Sequence, residues 1–261
     1  MNKISTILVP FDFSEISRNT LQYAIGFVGL KHDYRILLAY VAFDGDTRMV
    51  KEAFNTIKND VTPAFRGTID WVVDKGPLTE AILAIQKKQT IDLVIMGTSG
   101  IGNKTDDTTN SAKLVIESDN CPVLVVPMGV KEFRVKKIGL VLGKDKIEDR
   151  SVLETLLHIA RRFNAKVVVL TIQNEEGVYG YSENDQSNEN LLEYYLENFY
   201  SHHSFIENDD IVQGIAEYVE NNAIDMVAIL PRNHAQKSEP SEGRLTKELT
   251  MHSKVPLLAI D

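Results

Sequence analysis

Short continuous apolar runs alternate with stretches of helical spacing along the whole chain. Residues 6–10 (TILVP), 35–41 and 93–96 are runs with the pattern of strands buried on both faces. In 68–74 the apolar positions Ile69, Trp71 and Val73 alternate, which also predicts a strand. Between these runs, 15–30 carries Ile16, Leu21, Ala24, Ile25 and Val28 at helical spacing, and Ser14 is a suitable N-cap. Residues 49–61 and 78–88 repeat that pattern, with Val50, Ala53, Phe54 and Ile57 in the one and Ile82 and Ile85 in the other. A short helix over 111–117 and a strand over 121–126 complete an alternation of five strands and four helices. Such an order predicts an open, mostly parallel sheet with helices on both faces.

The pattern then recurs. Thr6-Ile-Leu-Val-Pro-Phe-Asp12 aligns with Lys137-Ile-Gly-Leu-Val-Leu-Gly143 at an offset of 131. Ile91-Asp-Leu-Val-Ile-Met-Gly97 aligns with Ile224-Asp-Met-Val-Ala-Ile-Leu230 at 133, and Cys121-Pro-Val-Leu-Val-Val-Pro127 with Val255-Pro-Leu-Leu-Ala-Ile-Asp261 at 134. The drift is what loop insertions produce, so the expectation is two tandem α/β domains, 1–130 and 137–261, joined by a short basic linker. In the second half the pattern predicts strands at 138–142, 166–172, 204–207 and 225–230, and helices at 151–163, 189–199 and 210–221. Residues 173–188 read as a polar loop.

Composition narrows the function classes. The 261 residues are 43% hydrophobic and 25% charged, with a net charge of −9, which argues against a broad nucleic-acid surface. The single cysteine, Cys121, excludes an intrachain disulfide and lies in an apolar run, where a buried inert thiol is expected. The N-terminal MNKISTILVPFDF has no apolar stretch of signal-peptide length, and no run approaches the roughly 18 apolar residues of a membrane span. The expectation is a cytoplasmic protein with no membrane or nucleic-acid partner. No H-E-x-x-H, C-x-x-C or G-x-S-x-G occurs, so nothing points to a catalytic or metal centre. His202-His203 are adjacent, so in a strand they face opposite ways and make a poor metal site.

The segment richest in candidate chemistry is 91–127. Gly97, Gly100 and Gly102 follow an apolar strand, and a helix N-terminus follows them. Glycines there let backbone N–H groups approach a phosphate, and the helix end adds free donors; glycines after a strand also serve as plain turn residues. Asp12, just past the first strand, can accept from an adenine amino group or a ribose hydroxyl, or help cap the helix near Ser14.

Gly97-Thr98-x-Gly100, a polar loop, a short helix and CPVLVVP resemble the C-terminal half of a universal stress protein domain, and ILVPFDFSE resembles its first strand and V-P-x-D turn. The resemblance extends over both halves, to the two-domain members found in the Bacteroidetes. It implies an adenine nucleotide alpha hydrolase-like, Rossmann-like fold and a non-catalytic binding or regulatory role in a stress response, with at most slow ATP hydrolysis. It further implies an adenine nucleotide, ATP or AMP with Mg, in the first domain. Pro10, Asp12, Val41 and Met96 are then adenosine contacts, and Gly97, Thr98, Gly100, Asn110 and Ser111 phosphate and ribose contacts. The family's G-x2-G-x9-G-[ST] places its third glycine at Asn110, or at Thr109 counted back from Cys121; neither is glycine. In the second half Gly143 replaces Asp12, and Pro231-Arg-Asn-His234 replaces the glycine loop. Arg232, His234 and Arg244 could hold a small anion there, or be ordinary surface charge. The resemblance also implies an intramolecular pseudo-dimer of the two domains through their last strands, and allows a homodimer. The alternative is a stress protein without nucleotide that acts through unknown protein partners.

Overall fold

The structure, a computed structural model, describes residues 4–42, 48–61, 65–99, 110–118, 121–143, 145–147, 150–173, 182–231 and 241–260. The chain divides into two compact units, the first ending at Phe133 and the second beginning at Arg134.

In the first unit the order is β1 (Thr6–Pro10), α1 (Glu15–Val28), β2 (Arg35–Ala42), α2 (Arg48–Val61), β3 (Thr68–Lys75), α3 (Leu78–Lys88), β4 (Leu93–Thr98), α4 (Asn110–Glu117) and β5 (Val123–Pro127). The strands lie in the order β3-β2-β1-β4-β5, every pair parallel. The chain moves outward from β1 to β3, then crosses back to β4 and β5. With right-handed crossovers, α1 and α2 cover one face and α3 and α4 the other. Ile7, Leu8, Val9, Leu93, Val94 and Ile95 show no exposure, as central strands buried on both faces require. Helix α1 stops at Val28, two residues before the pattern suggests, because Gly29 takes a left-handed φ of 60° and its N–H closes on Ile25 O at 2.8 Å.

The second unit follows with β6 (Lys137–Val141), α5 (Val152–Phe163), β7 (Lys166–Gln173), α6 (Glu183–Leu196), β8 (Tyr200–Glu207), α7 (Ile211–Asn221), β9 (Met226–Ile229), α8 (Ser241–His252) and β10 (Leu257–Ala259). Its order is β10-β9-β6-β7-β8, again parallel throughout. The loop expected over 173–188 is corrected at its end. Helix α6 begins at Glu183 because Ser182 and Asp185 form a reciprocal capping box. The helix exposes so many polar residues that its spacing hides in the sequence. Strand β8 begins at Tyr200 rather than Ser204, preceded by a single 3-10 turn, Glu197–Phe199. Asp210, where the pattern starts a helix, is the N-cap of α7 and accepts from Val212 and Gln213 N–H.

One device recurs in both units. Asp92 Oδ2 accepts from Ser5 N (2.9 Å), Ser5 Oγ (2.8 Å) and Thr6 N (2.8 Å), fastening the start of β1 to the turn before β4. Asp225 Oδ2 does the same for β6, accepting from Lys136 N (2.8 Å) and Lys137 N (2.9 Å), and Arg134 Nε lies 3.1 Å from its other oxygen. The Ile-Asp-x-Val repeat at 91 and 224 is therefore a repeated structural clamp.

Cys121 is 6% exposed, and burial pushes its thiol up to about 12. A thiol reagent at pH 8 is expected to leave the native protein unmodified and to label one equivalent after unfolding. Stoichiometric labelling of the native protein, read by mass spectrometry, would contradict this burial. Among the described residues no helix is long and apolar enough to cross a membrane.

Candidate functional site

In an open α/β sheet the crevice lies beyond the carboxyl ends of the strands, where the strand order reverses. In the first unit that point falls between β1 and β4. Strands β1 and β2 stay paired up to Pro10–Ala39, and Phe11 N adds a bond to Ala39 O at 2.8 Å. The β1–β4 ladder runs through Ile7–Leu93 and Leu8–Val94 and stops there, because Pro10 has no N–H to donate to β4. Strand β4 is paired to β5 as far as Thr98–Pro127. In the second unit the matching pair, β6 and β9, stays in register from Ile138–Met226 to Val141–Ile229.

Asp12 lies two residues past the end of β1, at the carboxyl edge of the sheet, and is exposed. Its Oδ1 accepts from Ser14 N at 3.0 Å, which folds the turn that delivers Ser14 as N-cap, its Oγ accepting from Ser17 N. Partial burial alone would raise the Asp12 pKa, but the hydrogen bonds from Ser14 and then Ser17 outweigh it and hold the carboxyl below its ordinary value. The carboxylate is thus present as an anionic acceptor throughout the neutral range.

Pro10 ends β1 and Val41 lies near the end of β2, both half-buried. Gly97 and Thr98 end β4, and Thr98 is 6% exposed with its carbonyl accepting from Met128 N at 2.9 Å. These four residues and Asp12 all come from the carboxyl ends of β1, β2 and β4 and so share one edge of the sheet. Asn110 and Ser111 open α4, the helix that returns from that edge; Asn110 is exposed and Ser111 is 3% exposed. Met96 is buried within β4, at 6% exposure. Gly100 lies outside the described residues, as do Arg232, His234 and the side chain of Arg244, whose backbone lies in α8.

Gly97 has a second reason to be glycine. A Cβ there would meet Thr20 Oγ1 and come within 2.6 Å of Ile16 Cγ2, so α1 packs directly on the end of β4. Gly97→Ala is expected to destabilise the protein by about 1–3 kcal/mol through overpacking. Denaturant unfolding checks this, and an unchanged midpoint would contradict the packing.

An aromatic group borders the same edge and was not singled out by sequence pattern. Phe13 adopts φ 65°, unusual for a non-glycine residue, and its ring lies 5.7 Å from Tyr40 and 5.0 Å from Phe54. Phe11 packs edge-on against Phe13 at 5.2 Å. The i, i+2 aromatic pair around Asp12 is the signal that could have indicated it.

In the second unit His202 and His203 do face opposite ways. His202 is exposed, while His203 Nε2 lies 2.9 Å from Thr171 Oγ1 and its ring stacks on Phe205 at 4.1 Å. Burial lowers the His203 pKa, against opposing pulls from Asp185 and Glu189. Among the described residues no cluster of His, Cys, Asp or Glu could hold a metal ion.

A parallel α/β sheet whose strand order reverses between β1 and β4 places the first unit in the Rossmann-like class of open-sheet folds. Comparison with known proteins narrows the class. The profile of the Universal stress protein family matches residues 3–127, nearly the whole first unit. Among solved structures, a universal stress protein from Archaeoglobus fulgidus DSM 4304 superposes with a TM-score of 0.70 at 14% identity, over 98% of this chain and 96% of that one. A functionally unknown protein from Pseudomonas aeruginosa PAO1 gives 0.63 at 16% identity, over 98% and 92%. The cytoplasmic domain of a prokaryotic cation chloride cotransporter gives 0.60 at 11%, over 98% and 95%. At these identities the likeness is one of fold. No curated protein matches the chain in sequence.

Proposed function

We propose that the protein is a non-catalytic binding or regulatory module of a stress response that takes an adenine nucleotide, with Mg, at the carboxyl edge of its first unit. The second unit is a degenerate copy of the first, and the protein works in the cytoplasm. The observation that carries the nucleotide reading is the switch point between β1 and β4, where Asp12 just past β1 and Gly97–Thr98 at the end of β4 share the carboxyl edge. In this reading Asp12 accepts from the adenosine, and the N–H groups at the start of α4 face the phosphates. The second unit lacks the acid, since Gly143 holds the position of Asp12.

A thermal shift with ATP and Mg tests this. Nucleotide at 100 times its Kd is expected to stabilise the fold by about 2.7 kcal/mol, and Asp12→Ala to remove the effect. Because the Asp12 pKa is depressed, the carboxylate stays ionised as pH falls from 8 to 5. The contribution of Asp12 is present above its ordinary pKa and is lost only as pH drops through the lowered folded value. The part of the nucleotide shift that Asp12→Ala removes is therefore expected to be flat across that range. No shift at millimolar nucleotide would favour the second reading, a stress protein acting through protein contacts. The side chains at Thr109 and Asn110, where the family's nucleotide-binding branch has a glycine, support that second reading.

A further inference from the structure

The second unit carries an apolar cavity at the edge of the sheet opposite the candidate site, beside the Asp225 clamp. Helix α7 ends and β9 begins at the amino edge of the sheet, and α8 also ends there. Between the two helices lies a cavity of about 360 Å³, within the range of small-ligand sites. Ile215 and Val219 of α7, Ile224, Val227 of β9, Leu249 of α8 and Val255 make its walls. The only full charges on its lining belong to Glu220 and Lys254, which stand at the rim.

The first unit supplies an internal control. By the repeat offsets of 133 and 134, Gln86 of α3 corresponds to Val219, and Ser118, just after α4, to His252. In the first unit those two side chains bridge the helices: Gln86 Nε2 donates to Ser118 Oγ at 3.4 Å, and Ser118 Oγ donates to Cys121 O at 3.0 Å. In the second unit the bridge is gone. Val219 offers no hydrogen bond, and His252 turns along its own helix to Glu248, 3.1 Å away. A polar seam has become an apolar opening.

We propose that this cavity binds a medium-chain aliphatic carboxylate, its tail between α7 and α8 and its head on Lys254. Three features select that class. The walls recognise only an apolar tail, and the volume suits a chain of moderate length. The Lys254 side chain is 83% exposed and, among the described residues, pairs with Glu220, itself 78% exposed, at 3.9 Å. A loose surface pair of this kind contributes little, so a ligand carboxylate can replace Glu220 as the partner at small cost. The freed Glu220 side chain remains in water. His252 stays engaged by Glu248 and does not compete for the head group. The site is independent of the nucleotide reading, since it shares no residue with the first unit.

Titration of the full chain with hexanoate, octanoate and decanoate, followed by calorimetry and methyl NMR, tests the proposal. One equivalent is expected to bind, with Kd falling about fourfold per added methylene. The shifted methyls should be those of Ile215, Val219, Val227 and Leu249. Lys254→Glu is expected to weaken decanoate about fivefold while leaving decanol unchanged. Ala216→Trp, at an exposed position on the lining, should abolish both while leaving the melting temperature unaltered. No binding, a Kd flat with chain length, or decylamine binding as tightly as decanoate would each overturn the assignment. Lys254→Glu keeps it falsifiable should Ala216→Trp fail to fold. Retention of the ATP shift in Lys254→Glu separates this site from the nucleotide site.

Discussion

Replacing Phe54 with alanine is expected to lower stability by about 3–5 kcal/mol, the range for deleting a large buried aromatic side chain. Phe54 is 2% exposed and stands at the centre of the aromatic group. It stacks face to face on Trp71 at 5.3 Å and 7°, and packs against Phe11 at 5.9 Å and Phe13 at 5.0 Å. The substitution thus removes the ring's own burial and leaves a void that rigid aromatic neighbours fill poorly. Because Phe13 neighbours Asp12, the same variant should loosen the turn that positions the carboxylate. Chemical denaturation measures the stability loss. A loss below about 1 kcal/mol would mean that the rings collapse into the gap, contrary to the packing described.

The second large effect is expected at Asp92. Asp92→Ala removes one carboxylate oxygen that satisfies two backbone N–H groups and a hydroxyl at the start of β1. Hydrogen bonds to a charged group are worth about 1.5–3 kcal/mol, and the donors left behind are partly buried, so the expected loss is about 2–3 kcal/mol. Asp92→Asn, which keeps one acceptor, should recover part of it. Asp225→Ala should act similarly in the second unit, since Asp225 holds Lys136 and Lys137 N–H in the same way. Hydrogen exchange at Thr6 and Lys137 resolves the two effects. Unchanged protection at Thr6 in Asp92→Ala would refute the clamp.

The fold was legible wherever periodicity was undisturbed. The apolar runs at β1, β2 and β4, and the i, i+3, i+4 spacing of α1 and α3, lead to a parallel sheet with helices on both faces; the strand order came only with the structure. Helix α6 was half hidden because its apolar stripe is thin over 183–188, and only the Ser182–Asp185 cap marks its start. Strand β8 was shortened in the reading because an edge strand with burial on one side carries Ser and His at positions that look like loop. At the candidate site, Asp12 and Gly97 could be nominated from spacing. Their meeting at one switch point could not, because it depends on the order in which distant strands join the sheet. The packing role of Gly97 was equally invisible, since Ile16 and Thr20 lie about eighty residues earlier.

The clamp also bears on how the protein is made. Strand β1 is made before its partners, and although β2 soon pairs with it, the other side must wait for Asp92 and β4, with β5 complete only at Pro127. The start of β1 is therefore held on the β2 side alone while most of the first unit is translated. Once β5 emerges, the first unit has everything it needs, and the second unit takes roughly 6–25 s to appear at ordinary elongation rates. That interval lets the first unit close before the similar strands of the second can compete for its open edges. The order of synthesis thus guards a duplicated sheet against exchanging strands with its own copy.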